Sequence, residues 1–324
     1  MKHWLLSREL TLVGLILVLL LGVSLRAHDF LTLGNLNDIV NDTALLVMVG
    51  LAQYLVILTG GIDLSVASVM ALSGMAAAMV NKFDPSLPIG LIVLIALAVG
   101  LALGAFNGLL VGWAGISSII ATLGTISIYR GAVFLLSGGQ WISAHQMTGG
   151  FKLIPDAKFL GLSTMIWYML LIIVLFAVFT LWTRTGREVY AFGSNKTAAQ
   201  YVGISAKKVN FLVFTISGVV SGFAGLLYVA RYAAAQNDTA SGFELATVAA
   251  CVIGGVSIAG GSGSVAGVVL GALFLGIINN SLTVINLSPF YQMAIQGAVI
   301  LIAILSNILM ARRDEARARV RRPI

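Results

Sequence analysis

The interval from residue 184 to residue 208 reads Arg184-Thr185-Gly186-Arg187-Glu188-Val189-Tyr190-Ala191-Phe192-Gly193-Ser194-Asn195-Lys196-Thr197-Ala198-Ala199-Gln200-Tyr201-Val202-Gly203-Ile204-Ser205-Ala206-Lys207-Lys208. It is the longest polar interval in a strongly apolar chain, and it must lie outside the hydrocarbon because lipid cannot satisfy unpaired backbone groups. Asn195 can N-cap a short helix from Lys196 to Val202, and Gly203 can end that helix. The pattern therefore predicts a structured loop that is exposed to a partner.

The composition on either side of this loop is that of a membrane protein. Of the 324 residues, 59% are hydrophobic and 10% are charged, whereas about a quarter of the residues in a soluble domain are charged. The net charge of +7 would suggest nucleic acid as a partner of a soluble protein. Here membrane orientation explains it, so we expect no nucleic-acid partner.

Charges and turn residues divide the chain into ten predicted transmembrane helices of about 20 residues each. The predicted fold is therefore all-α and polytopic. The predicted spans are Leu10–Leu25, Thr43–Ile62, Leu64–Asn81, two within Pro85–Leu136 that break at Trp113-Ala114-Gly115, Phe159–Thr183, Val209–Ala230, and three within Leu245–Ala311 that break near Gly260-Gly261 and at Leu287-Ser288-Pro289.

The distribution of basic residues predicts which side each loop faces. With ten spans both termini lie on the same side as the 184–208 loop, and that side then holds thirteen of the nineteen basic residues. Because cytoplasmic loops carry an excess of Lys and Arg, both termini and the loop are predicted to be cytoplasmic.

The sequence contains no recognisable catalytic or metal site, and we expect residues 1–324 to form a single transmembrane domain. The Asn195-Lys196-Thr197 triplet lacks the glycines of a phosphate-binding loop. The glycine-rich run at residues 261–266 lies in a charge-free apolar stretch rather than in a βαβ unit. A single cysteine, Cys251, excludes an internal disulfide and is too few for a metal cluster. We therefore predict neither an enzyme nor a bound metal.

Two glycine-rich stretches resemble each other. Gly61-Ile62-Asp63-Leu64-Ser65-Val66-Ala67 is similar to Gly260-Gly261-Ser262-Gly263-Ser264-Val265-Ala266, and each precedes an outward-going predicted span. Transporters are often built from repeats with broken helices near the substrate. The similarity supports two interpretations equally: helix breaks that line a path, or tight turns at the cytoplasmic surface.

Several motifs resemble one family of transport proteins along nearly the whole chain. They are Thr59-Gly60-Gly61-Ile62-Asp63-Leu64-Ser65-Val66, Ala121-Thr122-Leu123-Gly124-Thr125, Gly186-Arg187, Tyr190-Ala191-Phe192-Gly193-Ser194-Asn195, Ala198-Ala199, Gly203-Ile204, and Gly254-Gly255-Val256-Ser257 followed by Gly260-Gly261-Ser262-Gly263-Ser264. In this order they resemble the membrane permease of bacterial ribose-type ABC importers. The stretches at 129–131, 137–142 and 249–255 are most similar to the rhamnose and autoinducer-2 permeases of that group. Ala67 stands where many relatives have Gly.

This resemblance implies a bacterial inner-membrane importer with several partners. They would be an ATP-binding-cassette subunit that binds ATP and Mg, a periplasmic sugar-binding protein, and a second permease chain that is either identical or paralogous. The permease chain itself would bind no cofactor. The loop at residues 184–208 would be the coupling loop, and the residues that match the family there are Gly186, Arg187, Gly193, Asn195, Ala198, Ala199, Gly203 and Ile204.

A neutral monosaccharide requires hydrogen-bonding side chains along its route rather than charge. The candidates are Gln53, Asp63, Ser65, Asn107, Arg130, Asn279, Asn280 and Gln292. Two interpretations stay open for each, because polar groups within spans also bridge helices. Asp63 could N-cap the third span, and Arg130 could extend to the membrane surface or line the outer mouth. Trp141, His145 and Glu244 are expected at the outer face, where a binding protein would dock.

Two rival functions have specific requirements. A secondary transporter driven by protons or sodium needs a titratable group or a cation site at mid-membrane, and Arg130 is a poor candidate for either role. An intramembrane enzyme needs a Ser/His or Asp/Asp pair within its spans, and none of the three histidines lies in a predicted span.

Overall fold

The computed structural model describes residues 2–285 and, beyond them, residues 287–288, 291, 294–295, 297–298, 301–302 and 305. Within this part the chain is almost entirely helical, as predicted, with one two-stranded hairpin, β1 (Lys158–Phe159) and β2 (Leu162–Ser163). The α-helices are α1 (Lys2–Ser24), α2 (Leu33–Leu58), α3 (Val66–Phe83), α4 (Ile89–Gly112), α5 (Ser118–Ser137), α6 (Gly149–Asp156), α7 (Thr164–Trp182), α8 (Arg184–Ser194), α9 (Lys196–Tyr201), α10 (Ala206–Tyr232), α11 (Phe243–Ile253) and α12 (Val265–Val284).

Seven helices of the described part are long and apolar enough to cross a membrane: α2, α3, α4, α5, α7, α10 and α12. The apolar part of α1, Glu9–Ser24, is shorter. The predicted break at Trp113 is confirmed, since α4 ends at Gly112 and α5 begins at Ser118. The predicted tenth span lies largely outside the described residues.

Several predicted spans have different bounds in the structure. The second was predicted at Thr43–Ile62, whereas α2 begins ten residues earlier at Leu33 and ends at Leu58. The eighth was predicted as one helix from Leu245 to near Gly260, but α11 is only 11 residues long because the chain turns at Gly254 and Gly255. The sixth was predicted from Phe159, but that stretch forms the hairpin before α7. The third begins at Val66 with Ser65 as its N-cap residue, so Asp63 does not occupy the predicted cap position.

Helix α2 forms the centre of the bundle. Nearly every side chain from Thr43 to Leu58 is buried, whereas α4, α5 and α7 expose most of their apolar residues. A helix that is apolar all round and buried all round belongs inside a larger bundle. Helix α2 therefore packs against α7, α10, α11 and α12, and the half-exposed helices form the surface that faces lipid or another subunit.

The closest helix pair is α4 against α10, and small residues explain it. Glycines recur every four residues on α4 at positions 100, 104, 108 and 112, on the face toward α10. A Cβ built on Gly104 would lie 2.5 Å from the carbonyl oxygen of Phe214 and 2.7 Å from Cα of Gly218. Small residues allow such close backbone approach in membrane helix pairs.

One end of the bundle carries α8 and α9, and we call it the α8–α9 end. The N-terminal helix reaches the same end, since Ser264 Oγ donates to Glu9 Oε1 at 2.6 Å. The turn before α12 lies there too, since Ser194 Oγ donates to the carbonyl oxygen of Gly261. The start of α1 and the 184–208 loop therefore share one end of the molecule.

The opposite end is held by ionic and polar contacts between distant segments. Arg231 on α10 pairs with Asp42 at 2.6 Å and with Asp156 at 3.1 Å. Asn81 donates to Thr148 at 2.9 Å. These contacts fasten the long 138–163 segment across the ends of α2, α3 and α10.

Candidate coupling surface and buried polar network

Helix α8 is an amphipathic helix that packs on the end of the bundle. Thr183 caps it by accepting a hydrogen bond from the Gly186 backbone N–H at 3.0 Å. Val189 and Phe192 are buried beneath it. Gly186 touches the preceding helix, because a Cβ there would lie 2.0 Å from the carbonyl oxygen of Phe179. The family motif Gly186-Arg187 thus includes one residue that requires glycine for packing.

Helix α9 has the predicted caps at both ends. Asn195 Oδ1 accepts from the Ala198 backbone N–H at 2.9 Å. Gly203 has φ +85°, and Ile204 and Gly203 donate to the carbonyl oxygens of Ala199 and Gln200. These two bonds form a Schellman motif, which favours glycine at this position. Caps at both ends allow a six-residue helix to stand on the surface.

The outer face of α9 is exposed and partly apolar. Tyr201 is 87% exposed and Val202 is 76% exposed. Ala198 and Gly203 are exposed beside them, whereas Ala199 is buried against the bundle. Exposed apolar side chains on a rigid, capped helix outside the membrane indicate a surface that another protein covers.

The two glycine-rich stretches meet directly under α8. We call residues 59–65 the first break and residues 254–264 the second break. The Gly261 backbone N–H donates to the Leu58 carbonyl oxygen at 2.9 Å. A Cβ built on Gly193 would lie 1.7 Å from that same oxygen and 2.6 Å from the Gly261 nitrogen. Gly193 therefore lets α8 rest on the junction of both breaks.

Two tyrosines strengthen this junction. The Tyr190 hydroxyl on α8 donates to the Gly263 carbonyl oxygen at 2.9 Å and also contacts the Tyr54 hydroxyl on α2. Burial raises the pKa of Tyr190 above its ordinary value, although the hydrogen bond from Tyr54 acts in the opposite direction. A neutral phenol is the form that can donate to a carbonyl, so burial favours the contact.

Side chains from other helices satisfy the backbone of the first break. The Ile62 N–H donates to Ser118 and the Leu64 N–H donates to Thr122, each at 3.1 Å. The Gln53 amide, with oxygen and nitrogen assigned from the hydrogen-bond pattern, donates to the Asp63 carbonyl at 3.0 Å and accepts from the Asp63 N–H at 3.1 Å. Non-helical backbone within a bundle requires such partners.

The Asp63 carboxylate is 2% exposed and lies at the centre of this network. Its oxygens accept from the Ser65 N–H at 2.9 Å, the Ser65 hydroxyl at 2.6 Å and the Ser217 hydroxyl at 2.8 Å. Asn107 donates to Ser65 at 2.8 Å, and Tyr129 donates to Asn107 at 3.1 Å. The network thereby connects α2, α3, α4, α5 and α10.

Four of the eight predicted path residues lie in this network: Gln53, Asp63, Ser65 and Asn107. All four are buried and bonded to protein groups, and their contact with a sugar stays a prediction. Sequence reasoning did not assign Ser217 and Tyr129 to a site. Ser217 is 154 residues from Asp63, so local spacing gave no signal for that pair.

The remaining path candidates lie elsewhere. Arg130 Nη1 donates to the carbonyl oxygens of Asn237 and Thr239 at 3.0 and 2.9 Å, which ties α5 to the 233–242 segment at the opposite end. Asn280 accepts from Asn35 at 3.2 Å near the same end. Asn279 neighbours it on α12, and Gln292 lies outside the described residues.

The three predicted docking residues lie at the opposite end from α8 and α9. Trp141 is 59% exposed and His145 is exposed. Glu244 lies in the first turn of α11 and accepts from the Gly242 N–H at 3.1 Å. A bridge between Ile142 and Ala235 joins the segments that carry Trp141 and Glu244. Their contact with a binding protein stays a prediction.

Comparison with known proteins identifies the family. The sequence model of one protein family, described as branched-chain amino acid transport system / permease component, matches residues 35–304. The chain is 35% identical over 306 residues to the ribose import permease protein of Escherichia coli (strain K12), covering 94% of each chain. It is 36% identical to the D-allose transport system permease protein of the same strain, covering 92% of this chain and 90% of the relative.

A third relative is the autoinducer 2 import system permease protein of Enterobacter sp. (strain 638), 36% identical over 93% of this chain and 87% of the relative. No solved structure matches the chain. The family match covers more than half of the chain and includes the first break and the α8–α9 segment. The chain therefore belongs to the family of transport-system permease components.

Proposed function

We propose that this chain is the translocation subunit of an ATP-driven importer, and that α8 and α9 form its contact with a separate ATP-binding subunit. The observation that carries the proposal is the position of α9. It is capped and exposed, and α8 rests next to it on the junction where α2 and both breaks meet. A displacement of α9 would therefore reach the buried first break through rigid, packed elements.

The proposed complex contains three kinds of partner. An ATP-binding-cassette subunit binds ATP and Mg and covers α9. A periplasmic binding protein docks at the opposite end near Trp141, His145 and Glu244. A second permease chain completes the path against part of the half-exposed surface, and lipid covers the rest. The α8–α9 end and both termini then face the cytoplasm of a bacterial inner membrane, in agreement with the excess of basic residues on that side. The chain itself performs no catalysis.

The proposed substrate is a small, neutral, hydroxylated molecule of the monosaccharide class. The names of the relatives support this class, since they include ribose, D-allose and autoinducer 2 importers. The polar side chains described within the bundle are mainly amides and hydroxyls, which suit hydroxyl groups better than charge. Calorimetry of the cognate binding protein against ribose, allose, rhamnose and autoinducer 2 would identify the ligand.

The coupling role is tested by Ala198→Arg. Ala198 is exposed on α9, and Arg is a good helix former, so the variant should fold and insert normally. Its side chain should hold the ATP-binding subunit away from α9 and abolish the ATP hydrolysis that the loaded binding protein stimulates. Ala198→Ser is the matched control and should retain stimulation. Normal stimulation in a purified Ala198→Arg complex would contradict the assignment of α9.

The energy source is tested separately in vesicles. We expect uptake to require the ATP-binding subunit and internal ATP, and to be unchanged when proton and sodium gradients are collapsed. Uptake by this chain without the ATP-binding subunit would instead support the ion-coupled alternative.

A further inference from the structure

The β1–β2 hairpin places an apolar residue where the backbone disfavours it. Leu160 and Gly161 form the tip, with φ +51° and +81°. Positive φ at both central residues is typical of a type I′ turn, in which Asn or Gly is preferred at the first position. Leu160 is neither Asn nor Gly, and its side chain is 78% exposed.

Within the described residues, the apolar side chains of the hairpin remain largely exposed. Phe159 and Leu162, on either side of the tip, are 60% and 37% exposed. A strained backbone that presents an exposed leucine indicates a partner outside the chain.

The position of the hairpin identifies that partner. The hairpin folds back along the first turn of α7, where the Trp167 ring nitrogen donates to the Phe159 carbonyl oxygen at 3.0 Å. The two rings also meet edge to face, with centroids 5.7 Å apart. Trp167 lies at helical spacing from the exposed residues Leu171, Val174, Val178 and Leu181. The hairpin therefore lies at the end of the exposed apolar stripe of a spanning helix.

From this geometry we infer that the β1–β2 hairpin is an anchor in the membrane interface, with Leu160 and Phe159 inserted at the boundary between headgroups and acyl chains. Aromatic rings are enriched at this depth. The Lys158 side chain, on the same hairpin, makes no ion pair or hydrogen bond within the described part of the chain. It is positioned to contact a lipid phosphate, as basic residues near a membrane surface do.

Nitroxide labelling tests the inference in the full chain, reconstituted into phospholipid nanodiscs. Cys251 is fully buried, so a label can be directed to Leu160→Cys. Leu162→Cys provides a second position on the same hairpin. Leu171→Cys on the α7 stripe and His145→Cys in the loop of the same end serve as the lipid and water references.

At positions 160 and 162 we expect oxygen, which concentrates in lipid, to relax the label more than a water-soluble nickel chelate does. The label at 160 and 162 should lie at a shallower depth in the bilayer than the label at position 171. At position 145 the nickel chelate should relax the label more than oxygen does. Two results would overturn the inference. Chelate access equal to that at 145 would place the hairpin in water, and protection from both reagents would show that another protein covers it.

Discussion

Residues 62–64 of the first break bond to side chains of other helices, whereas the backbone bonds of the second break run mostly within the segment or to the adjoining helix α11. In the first break, Ile62, Asp63 and Leu64 depend on side chains of α2 and α5. In the second break, the Ser257 N–H donates to the Ser262 carbonyl within the segment, and the Val256 N–H donates to the Cys251 carbonyl at the end of the preceding helix α11. Two stretches that look alike in sequence are thus stabilised by different means.

The difference follows from residue type. The second break contains four glycines with positive φ, at positions 255, 260, 261 and 263, which allow the chain to turn back on itself. The first break has only Gly60 in this conformation. Its Asp63 side chain accepts hydrogen bonds from Ser65 and from Ser217 on α10 instead. We therefore expect the first break to be sensitive to distant side chains and the second to be sensitive to backbone strain.

The largest expected effect is at Asp63. Asp63→Ala leaves the Ser65 N–H and the Ser65 and Ser217 hydroxyls without their acceptor, and we expect a loss of roughly 3 kcal/mol or more, because each buried unsatisfied group costs about 1–3 kcal/mol. Thermal unfolding in detergent would measure it. Asp63→Asn keeps one acceptor oxygen and should lose less. Equal stability of Asp63→Ala and wild type would show that the network does not hold the break.

The second prediction addresses the point where the breaks meet. Gly193→Leu forces a side chain against Leu58 and Gly261, and we expect a loss of about 1–3 kcal/mol from overpacking. The variant should also uncouple ATP hydrolysis from transport, because α8 no longer rests on the junction. Gly124→Leu is a suitable control, since a Cβ at Gly124 meets nothing within 4 Å. If both variants lost the same stability and coupling, the packing of α8 on Leu58 and Gly261 would be unimportant.

A smaller effect is expected from strain in the second break. Gly260 has φ +94°, and its added Cβ would approach the Gly60 nitrogen at 2.9 Å. We expect Gly260→Ala to cost about 1–2 kcal/mol, the usual penalty for a left-handed residue. Gly61→Ala, at a position without positive φ, should cost less in the same unfolding assay. The reverse order would contradict the contrast between the breaks.

The smallest effect concerns the link from α8 to the second break. Tyr190→Phe removes the hydrogen bond to Gly263 and should cost about 1 kcal/mol. Tyr54→Phe keeps that bond and should cost less. Hydrogen exchange of residues 254–264 would reveal whether the second break opens more often, and unchanged exchange in Tyr190→Phe would rule out this link.

Much of this architecture could be predicted from the sequence. Features that depend on neighbouring residues in the sequence were predicted correctly. The Asn195 and Gly203 caps of α9 and the helix break at Trp113 are examples. The eighth predicted helix was too long, because hydropathy averages over glycines and does not register the positive φ of Gly255. The network around Asp63 could not be predicted in full, because its partners Ser217 and Tyr129 become neighbours only after packing.

The glycine face of α4 has a consequence for biogenesis. Its partner α10 begins at Ala206 and is therefore synthesised well after α4, which ends at Gly112. At about 5–20 residues per second, α4 waits in the bilayer for on the order of ten seconds before α10 arrives. During that interval the four glycines of this face lack the partner that covers them, and Asp63 lacks Ser217. The arrival of α10 covers the glycine face and brings Ser217 to Asp63, so we expect the nascent chain to be least protected from membrane proteases before that moment.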